Sequence, residues 1–180
     1  MIKKTFFYTL LLLLLCLLGQ EVMAQEALKL RPSPLEMITF KSPEDTYVKI
    51  TYGRPQKRGR NIFGELVPFG KVWRTGANEA TELTTTGDIM LAGNRVPAGT
   101  YTIFSIPEKD KWTIILNKEP GQWGAYRYDD SKDLLRFTVP TKQLQTVYEP
   151  FTMEFEQTAS DVVLKMMWDR TGVDIPVTFQ

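Results

Sequence analysis

From Leu35 to Phe179 apolar and polar residues alternate with a period of two, broken at short intervals by Gly, Pro and Asn. That alternation confines most of the chain to half-buried β-strands. After a lead-in marked by Arg31-Pro32-Ser33-Pro34, it predicts strands at Leu35–Phe40, Tyr47–Tyr52, Lys71–Thr75, Ala80–Thr86, Asp88–Leu91 and Gly99–Ile106. Further strands are expected at Lys111–Asn117, Leu134–Val139, Gln143–Tyr148, Phe151–Glu156, Val162–Trp168 and Val173–Phe179. Gly93-Asn94 and Pro97-Ala98-Gly99 bracket a short piece at Arg95-Val96, and Pro107 to Lys111 reads as a hairpin loop. β-branched and aromatic residues dominate the apolar set, and no useful length of helical stripe follows residue 24. The expected fold is therefore all-β: a mainly antiparallel two-sheet β-sandwich with jelly-roll topology.

The first 24 residues carry a different pattern. Lys3 and Lys4 precede an apolar run from Phe6 to Leu18, and Val22-Met23-Ala24 offers a small-residue cleavage site before Gln25. These are the parts of a signal peptide, and the run is short of the ~20 residues needed to span a bilayer. Cys16 lies inside the run after three leucines, where a lipoprotein signal wants small residues, so a lipid anchor is not expected. The organisation expected is a signal peptide over 1–24, a lead-in over 25–34 and a single β-domain over 35–180. The protein would be exported, to the periplasm or beyond, with no membrane span after cleavage.

Removing Lys3, Lys4 and Glu21 with that signal takes 22 Lys+Arg and 21 Asp+Glu to 20 of each. A neutral chain of this kind gives no reason to expect nucleic acid as a partner. His is absent throughout and Cys16 is the only cysteine, so Ser-His-Asp and Cys-His catalysis and zinc or copper sites have no residues to use. No glycine-rich phosphate loop opens a helix, so no cofactor is expected. Carboxylate chemistry survives these exclusions, with Glu79, Asp129, Asp130 and Asp133 as candidate acids.

Gly53 to Thr81, reading GRPQKRGRNIFGELVPFGKVWRTGANEAT, does not fit plain sheet. It gathers six basic residues (Arg54, Lys57, Arg58, Arg60, Lys71, Arg74), five glycines and Trp73 in one long connection. Such a connection suits a recognition loop or an internal arginine network. With VPAGTYTIFSIP, KWTIILNK and QWGAYRYDDSKDLLRFTV after it, this stretch resembles the bacterial domain of unknown function 2911 family over nearly the whole chain beyond the signal. The resemblance implies an exported bacterial envelope protein with an all-β domain, and brings no activity with it. It also implies Tyr where Phe69 stands after Leu66-Val67-Pro68, which removes a hydroxyl near the basic loop.

Two readings are open for each candidate residue. Arg74 follows Trp73 in an expected strand, so the pair should face opposite ways. With Trp73 inside, Arg74 either offers its planar guanidinium to a carboxylate, phosphate or sugar, or is tied to loop carbonyls or Glu79. Asn78 and Glu79 either form a turn or present an amide and a carboxylate to sugar hydroxyls. Trp123, Tyr126 and Tyr128, near Pro120 and Gly121, either make a stacking platform or plug the end of the domain. Asp129, Ser131 and Asp133 alternate like a calcium loop, but Leu134 replaces its glycine and Pro140 its bidentate Glu, so a solvated turn fits better.

Together these readings predict a non-catalytic domain that binds a glycan or a small anionic ligand where the basic loop meets the WGAY loop. Its site would comprise Arg60, Trp73, Arg74, Asn78, Glu79, Trp123 and Tyr126. The alternatives are a structural or protein-interaction domain whose arginines stabilise the long loop, and a carboxylate-only hydrolase. Oligomeric state is left open by the sequence.

Overall fold

Alternating burial appears where alternating hydrophobicity placed it. In β2 (Tyr47–Gly53) Val48, Ile50 and Tyr52 point inward, and in β3 (Thr81–Thr85) Thr81, Leu83 and Thr85 do. The computed structural model describes residues 30–158 and 161–179. The expected signal peptide and the first part of the lead-in, 25–29, lie outside the described residues. Every element below belongs to one unit, Pro32–Gln180.

β1 is Leu35–Lys41, β4 Ile89–Leu91, β5 Asn94–Val96, β6 Gly99–Pro107, β7 Lys111–Asn117, β8 Asp133–Gln157 and β9 Val162–Phe179. All pairings are antiparallel, in the order β1-β2-β3-β6-β7-β8-β9-β4-β5. The series is a meander with one excursion. The β4–β5 hairpin leaves after β3 and pairs with the far end of β9 before the chain returns to β6. Its two turn residues, Ala92 and Gly93, both have positive φ, the conformation that matches strand twist in a tight hairpin.

The all-β antiparallel expectation holds; the division into two sheets does not. Hydrogen bonding passes through all nine strands because β8 is continuous over 25 residues. Its first part pairs with β7 and its later part with β9. The three strands expected between Leu134 and Glu156 are thus one. Pro140 and Pro150 stay in extended backbone, and register shifts between Gln143 and Tyr148 and between Tyr148 and Thr152 absorb the irregularity. The two strands expected between Val162 and Phe179 merge likewise, across Asp169 at φ 54. The meander with its inserted hairpin replaces the expected jelly-roll.

One core serves both halves of this sheet. Val48, Ile50, Leu83 and Trp112 from one half share it with Ile89, Leu164, Met166 and Trp168 from the other. Phe40 of β1 stacks on Phe179 of β9 at 5.2 Å between centroids, so the sheet curls until its first strand meets β9. Among the described residues no helix is long and apolar enough to cross a membrane.

Candidate functional site

The long basic connection leaves β2 at Gly53, where the chain comes unusually close to itself. A Cβ at Gly53 would stand 1.9 Å from the carbonyl oxygen of Ala77, and one at Gly76 would stand 2.9 Å from that of Gly53. Only glycine permits this approach at Gly53. It lets the Ala77 amide donate to the Gly53 carbonyl at 3.1 Å, closing the turn against the start of the loop.

Around that contact the segment Trp73–Thr81 forms a buried polar knot. Thr75 sits at φ 54, a rare conformation for a β-branched residue, and is fully buried. Its hydroxyl donates to Ser105 Oγ at 2.9 Å, while Thr81 Oγ1 donates to the Thr75 carbonyl at 2.7 Å. The Trp73 indole donates to the Gly76 carbonyl at 3.0 Å. The strand expected at Lys71–Thr75 is reduced here to a single bridge, Trp73 with Ser105, because the chain must turn at Thr75 instead of extending. Trp73 is core. Its ring lies among Phe63, Trp112, Phe151 and Trp168, all with centroids within 6.1 Å.

Most cations of the loop are occupied in holding it. Arg54 reaches Glu36 and Thr152; Lys57 pairs with Asp169 at 3.0 Å and donates to the Arg60 carbonyl. Arg58 donates through its amide to the Glu149 carboxylate at 2.6 Å and through its side chain to the Pro32 carbonyl. Arg60 folds back onto the carbonyls of Lys57 and Gln56 at 2.9 and 2.5 Å. These bonds dock the loop on the irregular middle of β8 and β9, where Gln56 also bridges Pro150. Phe69, the departure noted in sequence, lays its ring against Gly64.

Arg74 differs. Its Nε, like that of Arg54, is buried without a hydrogen-bond partner, but unlike Arg54 its guanidinium makes no hydrogen bond or ion pair at all among the described residues. The side chain lines a hollow of about 250 Å³ together with Arg60, Trp73, Asn78, Ser33, Pro55 and neighbours. Asn78, at φ 64, donates from its amide to the Ser33 carbonyl at 3.2 Å, so it shapes the hollow as well as the turn.

The WGAY loop runs beside this knot. Glu79 and Trp123 form a backbone bridge, Ala80 N–H donates to Gln122 and Gly124 N–H to Asn78, each at 2.9 Å. Thus the two loops meet along their backbones, as expected, but among the described residues Arg74 and the Trp123–Tyr126 pair line different hollows. Trp123 and Tyr126, 60% and 84% exposed, border a separate open hollow of about 740 Å³ with Lys118, Glu119, Gln122 and Arg127. Glu79 lines a third, of about 210 Å³, with Glu82, Leu35, Thr51 and Gln122. Of the seven candidates, Arg60, Trp73, Arg74 and Asn78 come together; Glu79, Trp123 and Tyr126 fall outside that group.

Tyr128 takes the plugging role that sequence left open for all three aromatics. It packs edge-on against Phe104 at 4.9 Å, donates to Asp133 at 2.7 Å and accepts from Arg136. Burial first, then the Asp133 carboxylate, push its ionisation well above the ordinary phenol range, with Arg136 opposing. Asp129 caps a 3-10 turn at Asp130–Lys132 by accepting from Ser131 N–H; hydrogen bonding from the Ser131 side chain first, then from that N–H, holds its carboxyl below the usual range. Asp133 binds Asn117, Tyr128 and Arg136. The alternating acids therefore build a turn. None of the three hollows is lined by two of Glu79, Asp129, Asp130 and Asp133. Among the described residues no three His, Cys, Asp or Glu groups gather as a metal site would require.

Sequence reasoning missed Gly53 and Gly76 as close-approach positions and Gln122 and Glu82 as lining residues. The Gly76-Ala77-Asn78 turn signal was available for Gly76 but not for Gly53.

The chain belongs to the family described as Protein of unknown function (DUF2911), which it matches over residues 33–177. No curated protein and no solved structure matches it.

Proposed function

We propose that this member of the DUF2911 family is an exported, non-catalytic binding domain of the bacterial envelope, and that its ligand is a small anion held at Arg74. The observation that carries this reading is the Arg74 guanidinium. Among the described residues it makes no hydrogen bond or ion pair, in a loop where Arg54, Lys57, Arg58 and Arg60 each make at least one. A cation that the fold leaves unpaired beside a hollow suits a carboxylate or phosphate, which a planar fork can meet with two hydrogen bonds. The hollow, about 250 Å³, is below the usual range for drug-sized ligands, which favours a small anion over a glycan chain. Asn78 supplies a polar edge and Trp73 an apolar wall. Export rests on the N-terminal pattern, and N-terminal sequencing of the protein recovered from cells should begin at Gln25.

The reading is tested by calorimetric titration of the protein, produced from the full-length sequence, with inorganic phosphate and with acetate. Saturable binding is expected for at least one, weakened about tenfold or more in Arg74→Ala and partly kept in Arg74→Lys. Absence of saturation by either anion up to about 10 mM, or equal binding by Arg74→Ala, would overturn it.

A second reading, a structural or protein-interaction domain, is favoured by strand β1, which ends the sheet and leaves Leu35 and Met37 exposed on one face. Loss of those side chains should then weaken association with an envelope partner and leave anion binding alone.

A further inference from the structure

We propose that Trp123 and Tyr126 form a second binding surface, separate from the Arg74 hollow, that takes an acidic oligosaccharide. Large aromatic side chains are seldom left this open without a use, and here the two border the same hollow. Both are held in place. The main chain at Trp123 is held by its bridge to Glu79, and Tyr126 lies over Gly124, where a Cβ would meet the ring at 2.7 Å. The loop beneath them is tied down as well: Thr102 donates to the Glu119 carbonyl at 2.6 Å, Gln122 to the same carbonyl at 3.0 Å, and Gly121 N–H to Glu82 at 2.6 Å. A surface ordered before binding loses little further freedom when it binds.

The lining selects the ligand. Indole and phenol faces match the C–H faces of pyranose rings, and Gln122 provides an amide for hydroxyls. Two cations, Lys118 and Arg127, stand against one acid, Glu119, and neither cation is in an ion pair among the described residues. That balance favours a sugar carrying carboxylates over a neutral one. The hollow is open and several times larger than the Arg74 hollow, so it admits a chain of rings.

The protein contains its own probe. Of its four tryptophans, Trp73, Trp112 and Trp168 are buried and Trp123 alone is exposed, so iodide quenching of indole fluorescence reports on this surface. With the protein produced from the full-length sequence, tetragalacturonate should protect against quenching in a saturable way, and cellotetraose about tenfold more weakly. Calorimetry should give at least about tenfold weaker tetragalacturonate binding for Tyr126→Ala, and a shallower salt dependence for Lys118→Gln with Arg127→Gln. Arg74→Ala should leave this binding unchanged, and Tyr126→Ala should leave phosphate or acetate binding unchanged, which separates this surface from the anion hollow. No protection by tetragalacturonate up to about 10 mM overturns the proposal, as does equal binding of cellotetraose or loss of binding in Arg74→Ala.

Discussion

Trp73 and Trp123 are the same side chain in two loops that run side by side, yet one is 8% exposed and the other 60%. Both loops are rich in glycine and polar residues, so composition does not separate them. Backbone geometry does. At Gly53 and Gly76 the first loop presses main chain on main chain, which pulls Trp73 into the core and leaves its indole N–H bonded to Gly76. In the second loop Gly121 and Gly124 adopt positive φ and turn the chain outward, with Tyr126 lying over the bare Cα of Gly124. Glycine in the first loop permits burial; in the second it permits display.

The largest break in this contrast should come from Gly53→Ala. With a Cβ placed 1.9 Å from a backbone oxygen, the knot cannot close, and the domain should lose more than about 4 kcal/mol in urea unfolding or fail to fold. Gly121→Ala, where nothing lies within 4 Å, carries only the strain of its positive φ and should lose far less.

Next in size is the tryptophan pair itself. Trp73→Ala should cost about 3 to 5 kcal/mol, as truncation of a buried aromatic does. Trp123→Ala should change unfolding by no more than about 0.5 kcal/mol. Similar losses for the two would mean that Trp123 packs in solution and that the contrast is false.

A smaller effect sharpens the comparison within the second loop, where Tyr128 faces inward while Tyr126 faces out. Because folding raises the pKa of Tyr128 and so disfavours its phenolate, its contribution to stability is complete below the unfolded phenol value, about 10, and is lost as pH rises beyond it. Urea midpoints measured from about pH 9 to about pH 11 should fall in wild type and fall less in Tyr128→Phe. Parallel curves would place Tyr128 in water.

Sequence made part of this visible. The sequence pattern located β1, β2, β3, β6 and β7 to within about two residues; β2 and β3 bury every second side chain, whereas β6 and β7 bury consecutive residues on both faces. It divided β8 and β9 wrongly, because Pro140 and Pro150 read as breaks although the backbone stays extended there, and because Asp169 interrupts β9 with one positive φ without ending it. That error also split the sheet, since one continuous β8 is what joins its halves. Within the candidate site, the unusual chemistry of the Arg74 segment was legible as residue types at close spacing. Which cations the fold engages was not legible, because Lys57 and Arg58 find partners in Asp169 and Glu149, roughly ninety or more residues away. Nor could spacing tell Trp123 from Tyr128, whose different fates depend on Phe104, Asp133 and Arg136 packing one and not the other.

The central claim is that the fold does not need Arg74, and the unfolding free energy of Arg74→Ala against wild type tests it most directly. The account predicts a change within about 1 kcal/mol, or a gain, since removing a cation with an unsatisfied buried Nε also removes an unfavourable group. A loss of about 3 kcal/mol or more would contradict it and make Arg74 the anchor of a buried network.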